Sequence, residues 1–350
     1  MTETYEVLGE IKVGFGPEGV ILDTETRRGF VVCPRSNAIS VFDIDRLEVV
    51  AEVPVGEEPI AILHDKRTER LFTADARSDR MTVVDARTLQ VIGAVPVGTY
   101  PAGGGIYPEK RKVYAGNTED STVTVVDIDT LEVLATVECK LAAGSIAVDP
   151  LRNLVYVVNF GAACMSLING DTNENVGEIA LDFAPCKIIA DPPRGLAYVA
   201  NSLVSTVSVV DLDKREVVGT IPVERAPVGM GLGHGGDRIY AVNRGSGRVS
   251  VIDRESREEW ARIPVGGACG DMAFDATTNR LFVSNAADST ISVRRDLLTA
   301  RPEVLPASDR HPLIGQPVPE FTLPDARTGE VRTTVNWKGK KYILNFFASW

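Results

Sequence analysis

Every 42 residues the sequence returns to one pattern, and it does so seven times without an insertion or a deletion. One aromatic residue marks each copy: Phe30, Phe72, Tyr114, Tyr156, Tyr198, Tyr240 and Phe282. Three positions later comes a second series: Cys33, Asp75, Asn117, Asn159, Asn201, Asn243 and Asn285. A fixed repeat of this length predicts a solenoid or a propeller, because each copy is one unit that buries its apolar faces only against its neighbours.

Each copy reads as four short β-strands. In the fifth copy we predict strands at 186–191, 196–201, 206–211 and 216–223. Apolar residues fall on both faces of these strands, as expected for sheets that are covered on both sides. The third strand carries Ser or Thr in all seven copies: Ser40, Thr82, Thr124, Ser166, Ser208, Ser250 and Ser292. The predicted fold class is therefore all-β, a seven-bladed β-propeller.

The two ends of the repeat predict a closed ring. Residues 6–13 align with the fourth strand of the other copies, although they precede the first complete copy. The seventh copy supplies only three strands, over 270–294. We therefore expect the N-terminal strand to complete the last blade, which leaves no open seam between the first blade and the seventh.

The segments YVVN (156–159) and YVAN (198–201), with the VSVVD segment of the fifth copy, resemble the YVTN family of bacterial seven-bladed propellers. The resemblance covers residues 5–296 and implies the fold. It does not fix a function, because propellers host binding, scaffolding and enzymatic roles.

Two structural roles follow for the repeated residues. We expect the Asn and Asp series to hold turns by accepting hydrogen bonds from nearby backbone N–H groups. This includes a series that ends the third strand: Asp43, Asp85, Asp127, Asn169, Asp211 and Asp253. The aromatic series is expected to pack between blades.

One repeat position opens the innermost strand near a mouth of the central channel. It is small in five copies, but Lys187 and Asp271 fill it in the fifth and seventh copies, with Cys186 and Cys269 close by. These four residues are our candidate binding site for a protein or small-molecule ligand. The alternative is an ion pair at the inner rim with two buried thiols. We expect no Cys186–Cys269 disulfide, because blades five and seven are not neighbours.

The fourth copy differs most from the others. Residues 160–165 (FGAACM) replace a polar turn with an apolar one. The turn is a contact patch for a partner or for a second domain. The alternative is that its sequence has drifted without a function in this one repeat.

After the repeat, residues 297–311 read as a linker and 312–350 as an incomplete thioredoxin-like α/β domain. The sequence around 315–325 resembles the start of redoxin domains, and 342–348 resembles their first core strand. The residues that carry this resemblance are Pro319, Phe321, Phe347, Ala348, Ser349 and Trp350. In that family a CxxC motif or a single cysteine follows FxASW, so the resemblance places the attacking cysteine after Trp350. We expect no redoxin activity from the 350 residues themselves.

The composition argues against several classes of partner and cofactor. A net charge of −11 argues against nucleic acid, and no apolar stretch is long enough to span a membrane. Scattered cysteines and three histidines predict no metal site and no cofactor. The N-terminus has no leader pattern, which favours the cytoplasm; a leader upstream would instead place the protein in the periplasm or another extracytoplasmic compartment.

The favoured hypothesis is a propeller that docks a partner and is fused to a thiol–disulfide oxidoreductase or peroxiredoxin-like domain, which the resemblance pairs with a thioredoxin-type redox partner. A pure binding propeller and an enzyme with its site at the channel mouth are the alternatives.

Overall fold

The computed structural model describes residues 4–233, 236–298, 322–324 and 331–333. The chain divides into two compact units, Met1–Asp309 and Arg310–Trp350. The described residues are almost entirely β-sheet. Within these residues, no helix is long and apolar enough to cross a bilayer.

The first unit contains seven four-stranded antiparallel sheets, so the predicted seven-bladed propeller is confirmed. Strand β1 is Tyr5–Lys12. Blades 1 to 3 comprise β2 (Val20–Asp23), β3 (Arg28–Cys33), β4 (Ala38–Asp43) and β5 (Glu48–Pro54); β6 (Pro59–Asp65), β7 (Arg70–Asp75), β8 (Arg80–Asp85) and β9 (Val91–Pro96); and β10 (Pro101–Tyr107), β11 (Lys112–Asn117), β12 (Thr122–Asp127) and β13 (Val133–Glu138).

Blades 4 to 7 continue the same order. They comprise β14 (Ala143–Asp149), β15 (Leu154–Asn159), β16 (Cys164–Asn169) and β17 (Asn175–Ala180); β18 (Pro185–Asp191), β19 (Leu196–Asn201), β20 (Thr206–Asp211) and β21 (Glu216–Pro222); β22 (Pro227–Gly233), β23 (Arg238–Asn243), β24 (Arg248–Asp253) and β25 (Glu258–Pro264); and β26 (Cys269–Asp275), β27 (Arg280–Asn285) and β28 (Thr290–Asp296). Short 3-10 turns lie at Pro34–Ser36, Pro108–Lys110 and Pro192–Arg194.

The N-terminal strand closes the ring, as predicted. Strand β1 is the outermost strand of blade 7, where it pairs with β28 from Tyr5 opposite Asp296 to Lys12 opposite Thr290. Just beyond β28, the Leu297 N–H donates to the carbonyl oxygen of Thr4 at 3.1 Å. The last blade is therefore built from both ends of the repeat.

The aromatic series packs between blades, which confirms that prediction. All seven of these side chains are buried. Tyr156 of blade 4 lies in one apolar cluster with Ile188 and Ala197 of blade 5. Where the ring closes, the rings of Phe42 and Phe282 stack with centroids 5.9 Å apart. The core is thus a circle of interfaces between neighbouring sheets.

The acidic series at the end of the third strand holds turns as predicted. Asp43 Oδ1 accepts from the N–H groups of Asp45 and Arg46, at 2.9 and 2.8 Å. The same arrangement recurs at Asp85, Asp127, Asn169 and Asp211, and at Asp253 with a single backbone donor. Each acceptor satisfies backbone groups that the turn would otherwise leave to water.

For most of the Asn series the turn prediction is wrong. Asn201 Nδ2 donates to Thr206 Oγ1 at 3.1 Å and to Ser208 Oγ at 2.8 Å, and both hydroxyls lie on the next strand. Matching bonds to the repeated hydroxyl of that strand occur at Asn117, Asn243 and Asn285. Two members of the series do accept from a backbone N–H as predicted: Asn285 from Gly266 at 2.9 Å and Asn159 from Ser166 at 3.1 Å. These amides are fully buried, and the repeated Ser or Thr is the partner within reach.

In the second unit, β29 (Thr322–Pro324) and β30 (Val331–Thr333) pair as a short antiparallel hairpin. The thioredoxin-like motif residues lie outside the described residues, so that assignment stays a prediction: Pro319, Phe321, Phe347, Ala348, Ser349 and Trp350.

Candidate functional site

A cavity of about 700 Å³ occupies the centre of the ring, and the innermost strands of all seven blades line it. Its wall is mostly aliphatic, and side chains such as Ile21, Ile60 and Ile189 are only partly buried there. We call the end of the ring that carries the loops between consecutive blades the junction face.

Lys187 and Asp271 meet at this cavity, although they come from blades 5 and 7. Lys187 Nζ lies 2.6 Å from Asp271 Oδ2. Blade 6 lies between them and contributes Gly229 at the equivalent position. A Cβ there would lie 2.5 Å from the Gly270 carbonyl oxygen and 3.1 Å from Asp271 Oδ1. The missing side chain lets Lys187 reach across blade 6, so the predicted charges are brought together as an ion pair.

A second ion pair lies beside the first. Arg244 Nη2 is 2.6 Å from Glu18 Oε2, and Arg244 Nε donates to the Cys269 carbonyl oxygen at 3.1 Å. Burial raises the pKa of Glu18, against the opposing charge and hydrogen bond of Arg244; the negative charge of Asp271 raises it further. The repeat did not reveal this pair, because Glu18 and Arg244 lie in loops outside the repeat positions that we compared.

The two ion pairs are connected. The Asp271 N–H donates to Ser284 Oγ at 2.9 Å, and that hydroxyl donates to the Glu18 carbonyl oxygen at 2.7 Å. We call Glu18, Lys187, Arg244 and Asp271 the mouth quartet. It holds two cations and two carboxylates, so its net charge is zero. The cavity wall on the blades opposite the quartet carries small side chains: Ala61, Gly103 and Ser145.

The thiols of the two cysteines near the quartet donate hydrogen bonds to backbone carbonyl oxygens. Cys186 Sγ donates to the Pro227 carbonyl oxygen and Cys269 Sγ to that of Asn243, each at 3.2 Å. Burial raises the pKa of Cys186 to about 11 and that of Cys269 to about 12. All five cysteines are free. Both thiols are therefore protonated near neutral pH and are not poised as nucleophiles.

The junction face also exposes a group of apolar side chains over blades 4 and 5, which we call the apolar sector. Their exposed fractions are 62% for Leu141, 43% for Phe160, 42% for Phe183, 65% for Leu203 and 38% for Val204. Phe160 begins the apolar turn that the sequence singled out. The other four residues belong to a neighbouring turn and two loops that the sequence analysis did not connect with it.

Backbone hydrogen bonds join the loops and turns that carry the sector. The Gly161 N–H donates to the Leu141 carbonyl oxygen at 3.1 Å, which joins the turn of blade 4 to the preceding loop. On the other side, the Leu181 N–H reaches Ala163 O and the Ser202 N–H reaches Ala184 O, each at 2.9 Å. Phe160 also lines the cavity, so the sector adjoins the channel mouth. Exposed apolar side chains grouped on adjoining loops in this way indicate a candidate interaction site.

A second cavity, of about 610 Å³, lies among turns at the opposite end of blades 5 and 6. Four arginines line it, but two of them are held in buried contacts. Arg254 Nη1 is 2.8 Å from Asp191 Oδ2, and Arg238 bonds Asp296. We assign this cluster a structural role. Within the described ranges, no three or more His, Cys, Asp or Glu side chains are grouped to hold a metal ion.

Comparison with known proteins gives information on the fold alone. No protein-family model matches the chain, and no curated protein matches it. Among solved structures, a chain of hydrazine synthase from Kuenenia stuttgartiensis is similar, with a TM-score of 0.73 and 17% sequence identity. The match covers 83% of this chain and 98% of the other. At this identity the likeness establishes a shared propeller architecture and nothing about activity.

Proposed function

We propose that the propeller is a docking platform of the YVTN type, and that its apolar sector holds a protein partner for a tethered thiol–disulfide domain. The single observation that carries the docking role is the apolar sector, five exposed apolar side chains on loops and turns joined by backbone hydrogen bonds. The redoxin-like motif of 312–350 supports the chemistry of the tethered domain, and the YVTN-like segments support the family assignment.

The sector has the composition of a protein contact. Two phenylalanines and three aliphatic side chains form its centre, while the corresponding turn of blade 3 carries Glu119 and Asp120. Apolar and aromatic centres with polar surroundings provide most of the binding energy in protein interfaces. The partner that fits both units is a protein with an accessible thiol or disulfide.

Tethering explains why the two units would share one chain. A partner held on the propeller meets the redox domain at an effective concentration set by the connecting segment, so exchange becomes intramolecular. We do not propose catalysis at the channel mouth, because both nearby thiols are protonated and both quartet cations are held by carboxylates.

The experiment begins with the coding sequence beyond Trp350. If a CxxC motif follows, replacing its second cysteine by serine traps mixed disulfides between the protein and its partners. Leu203→Asp in the apolar sector should then reduce the yield of trapped partner severalfold. The matched control is Leu151→Asp, because Leu151 is 70% exposed in a turn at the opposite end of blade 4.

Two results would contradict the proposal. Absence of any cysteine after the FxASW segment would remove the redox role and leave a binding propeller. Equal trapping by the Leu203 and Leu151 variants would remove the apolar sector as the docking site.

A further inference from the structure

The central cavity has the two properties of a small-molecule site, an apolar body and a few polar groups at one end. Its aliphatic side chains come from every blade, and several are only partly buried. A ligand with an alkyl body would remove this surface from water, which is favourable in proportion to the apolar area covered. The charged end comprises the mouth quartet.

The quartet restricts the charge of the ligand. Each cation is already 2.6 Å from a carboxylate, so the group is neutral before anything binds. A ligand with one net charge would leave that charge uncompensated in a partly buried site, which is costly. A ligand that carries both signs can form ion pairs with the quartet and keep the site neutral.

The arrangement of the four charges also suggests an orientation. Ser284 links the backbone of Asp271 to that of Glu18, while Lys187 and Arg244 each pair with a different one of the two carboxylates. Asp271 Oδ2 and Glu18 Oε2 each hold one cation. Each of these oxygens has a second lone pair for a primary ammonium, and both cations have further N–H groups for a ligand carboxylate.

We propose that the cavity binds an aliphatic zwitterion, a small molecule that carries a primary ammonium and a carboxylate on one alkyl body. The alkyl body lies along the channel, the ammonium contacts Asp271 and Glu18, and the carboxylate contacts Lys187 and Arg244. This site requires no protein partner, so it stands independently of the docking role.

Three probes of equal chain length separate the charges: 2-aminooctanoic acid, octanoic acid and octylamine. Isothermal titration calorimetry on the whole chain measures the affinity for each probe. We expect 2-aminooctanoic acid to bind at least about tenfold more tightly than octanoic acid or octylamine, because each singly charged probe lacks one set of ion pairs. Shortening the probe to 2-aminobutanoic acid should weaken binding, because less of the aliphatic wall is covered.

The double variant Lys187→Met with Asp271→Leu keeps the site neutral but removes one ion pair, and should weaken 2-aminooctanoic acid by about tenfold or more. The control variant Lys110→Met with Asp171→Leu removes an ion pair outside the cavity and should leave the affinity unchanged. Circular dichroism and the thermal midpoint of both variants establish that each is folded.

Three outcomes of these binding measurements would overturn the proposal. Octanoic acid or octylamine binding as tightly as 2-aminooctanoic acid would refute a zwitterion site. The same holds if the folded Lys187/Asp271 variant keeps full affinity, or if the wild-type chain binds none of the three probes. A failure of partner trapping would leave these measurements unaffected, because no protein partner takes part in them.

Discussion

Three glycines set the separation of the inner strands of blades 3 and 4. A Cβ at Gly103 would lie 2.3 Å from the carbonyl oxygen of Gly144, and one at Gly116 would lie 2.4 Å from the same atom. A Cβ at Gly144 would instead meet only the Val158 carbonyl oxygen, at 3.9 Å. The substitutions Gly103→Ala and Gly144→Ala therefore add the same methyl group to facing strands with opposite steric consequences.

The magnitude follows from this geometry. Because the atom opposite Gly103 belongs to the backbone, the methyl group fits only if β10 moves away from β14 by about 1 Å, against interiors that are close-packed. Overpacking of this kind costs about 1–3 kcal/mol, which lowers the Tm by roughly 2–3 °C for each kcal/mol in a domain of this size. Gly144→Ala restricts the unfolded chain without a clash and should stabilise the protein by about 0.4–1 kcal/mol.

Urea unfolding followed by circular dichroism, with the Tm from calorimetry, measures both changes. Gly144→Ala is the control for loss of a glycine at this interface. A Gly103→Ala variant as stable as the wild type would refute the argument from close strand approach, as would a Gly144→Ala variant that loses more than about 1 kcal/mol.

Three further outcomes are expected. Asn201→Ala should lower the urea midpoint by the equivalent of about 2 kcal/mol, because it leaves the buried Ser208 hydroxyl without its donor; an unchanged midpoint would contradict the role of the buried amide. Burial tends to raise the pKa of Asp275, but hydrogen bonds from the two threonines that follow it and from an arginine hold that pKa at about 2. The Asp275 carboxylate therefore contributes to the free energy of unfolding above about pH 4, and this contribution is lost as the pH falls towards 2. In urea unfolding across this range, the stability of Asp275→Asn should approach that of the wild type as the pH falls. A difference in stability that does not change with pH would contradict this role of the carboxylate. Burial raises the pKa of Cys33 to about 11 and that of Cys269 to about 12, so mass spectrometry should find both alkylated by iodoacetamide at pH 8 only after unfolding.

The repeat made most of the fold predictable. Apolar segments of uniform length and spacing leave little choice of strand or register, and in the fifth copy the predicted strands differ from β18 to β21 by one residue at two ends. Closure by the N-terminal strand was predictable for the same reason, because residues 6–13 match a fourth strand that the seventh copy lacks.

The parts that escaped prediction depend on contacts between copies. Lys187 and Asp271 stood out because they break a repeat position that was compared. Glu18 also breaks one, since its equivalents are apolar or small (Ile60, Ala102, Gly144, Cys186, Val228 and Gly270), but that position was not compared. The apolar sector draws on two loops and two turns that become neighbours only when adjacent blades pack. The Ser and Thr residues that bond the buried asparagines form a series in the sequence. The sequence did not show that the two series bond each other, because this depends on the direction of the side chains on the paired strands.

Ring closure has a consequence for how the chain folds during synthesis. Blades 1 to 6 are each built from consecutive strands, so each has all its strands soon after its residues are made. Blade 7 cannot be finished in that way, because Tyr5 is made 291 residues before Asp296, its partner. Contacts of such high sequence separation form slowly. Until they form, β1 and β28 both present unpaired strand edges, and another nascent copy could supply the missing partner by strand exchange.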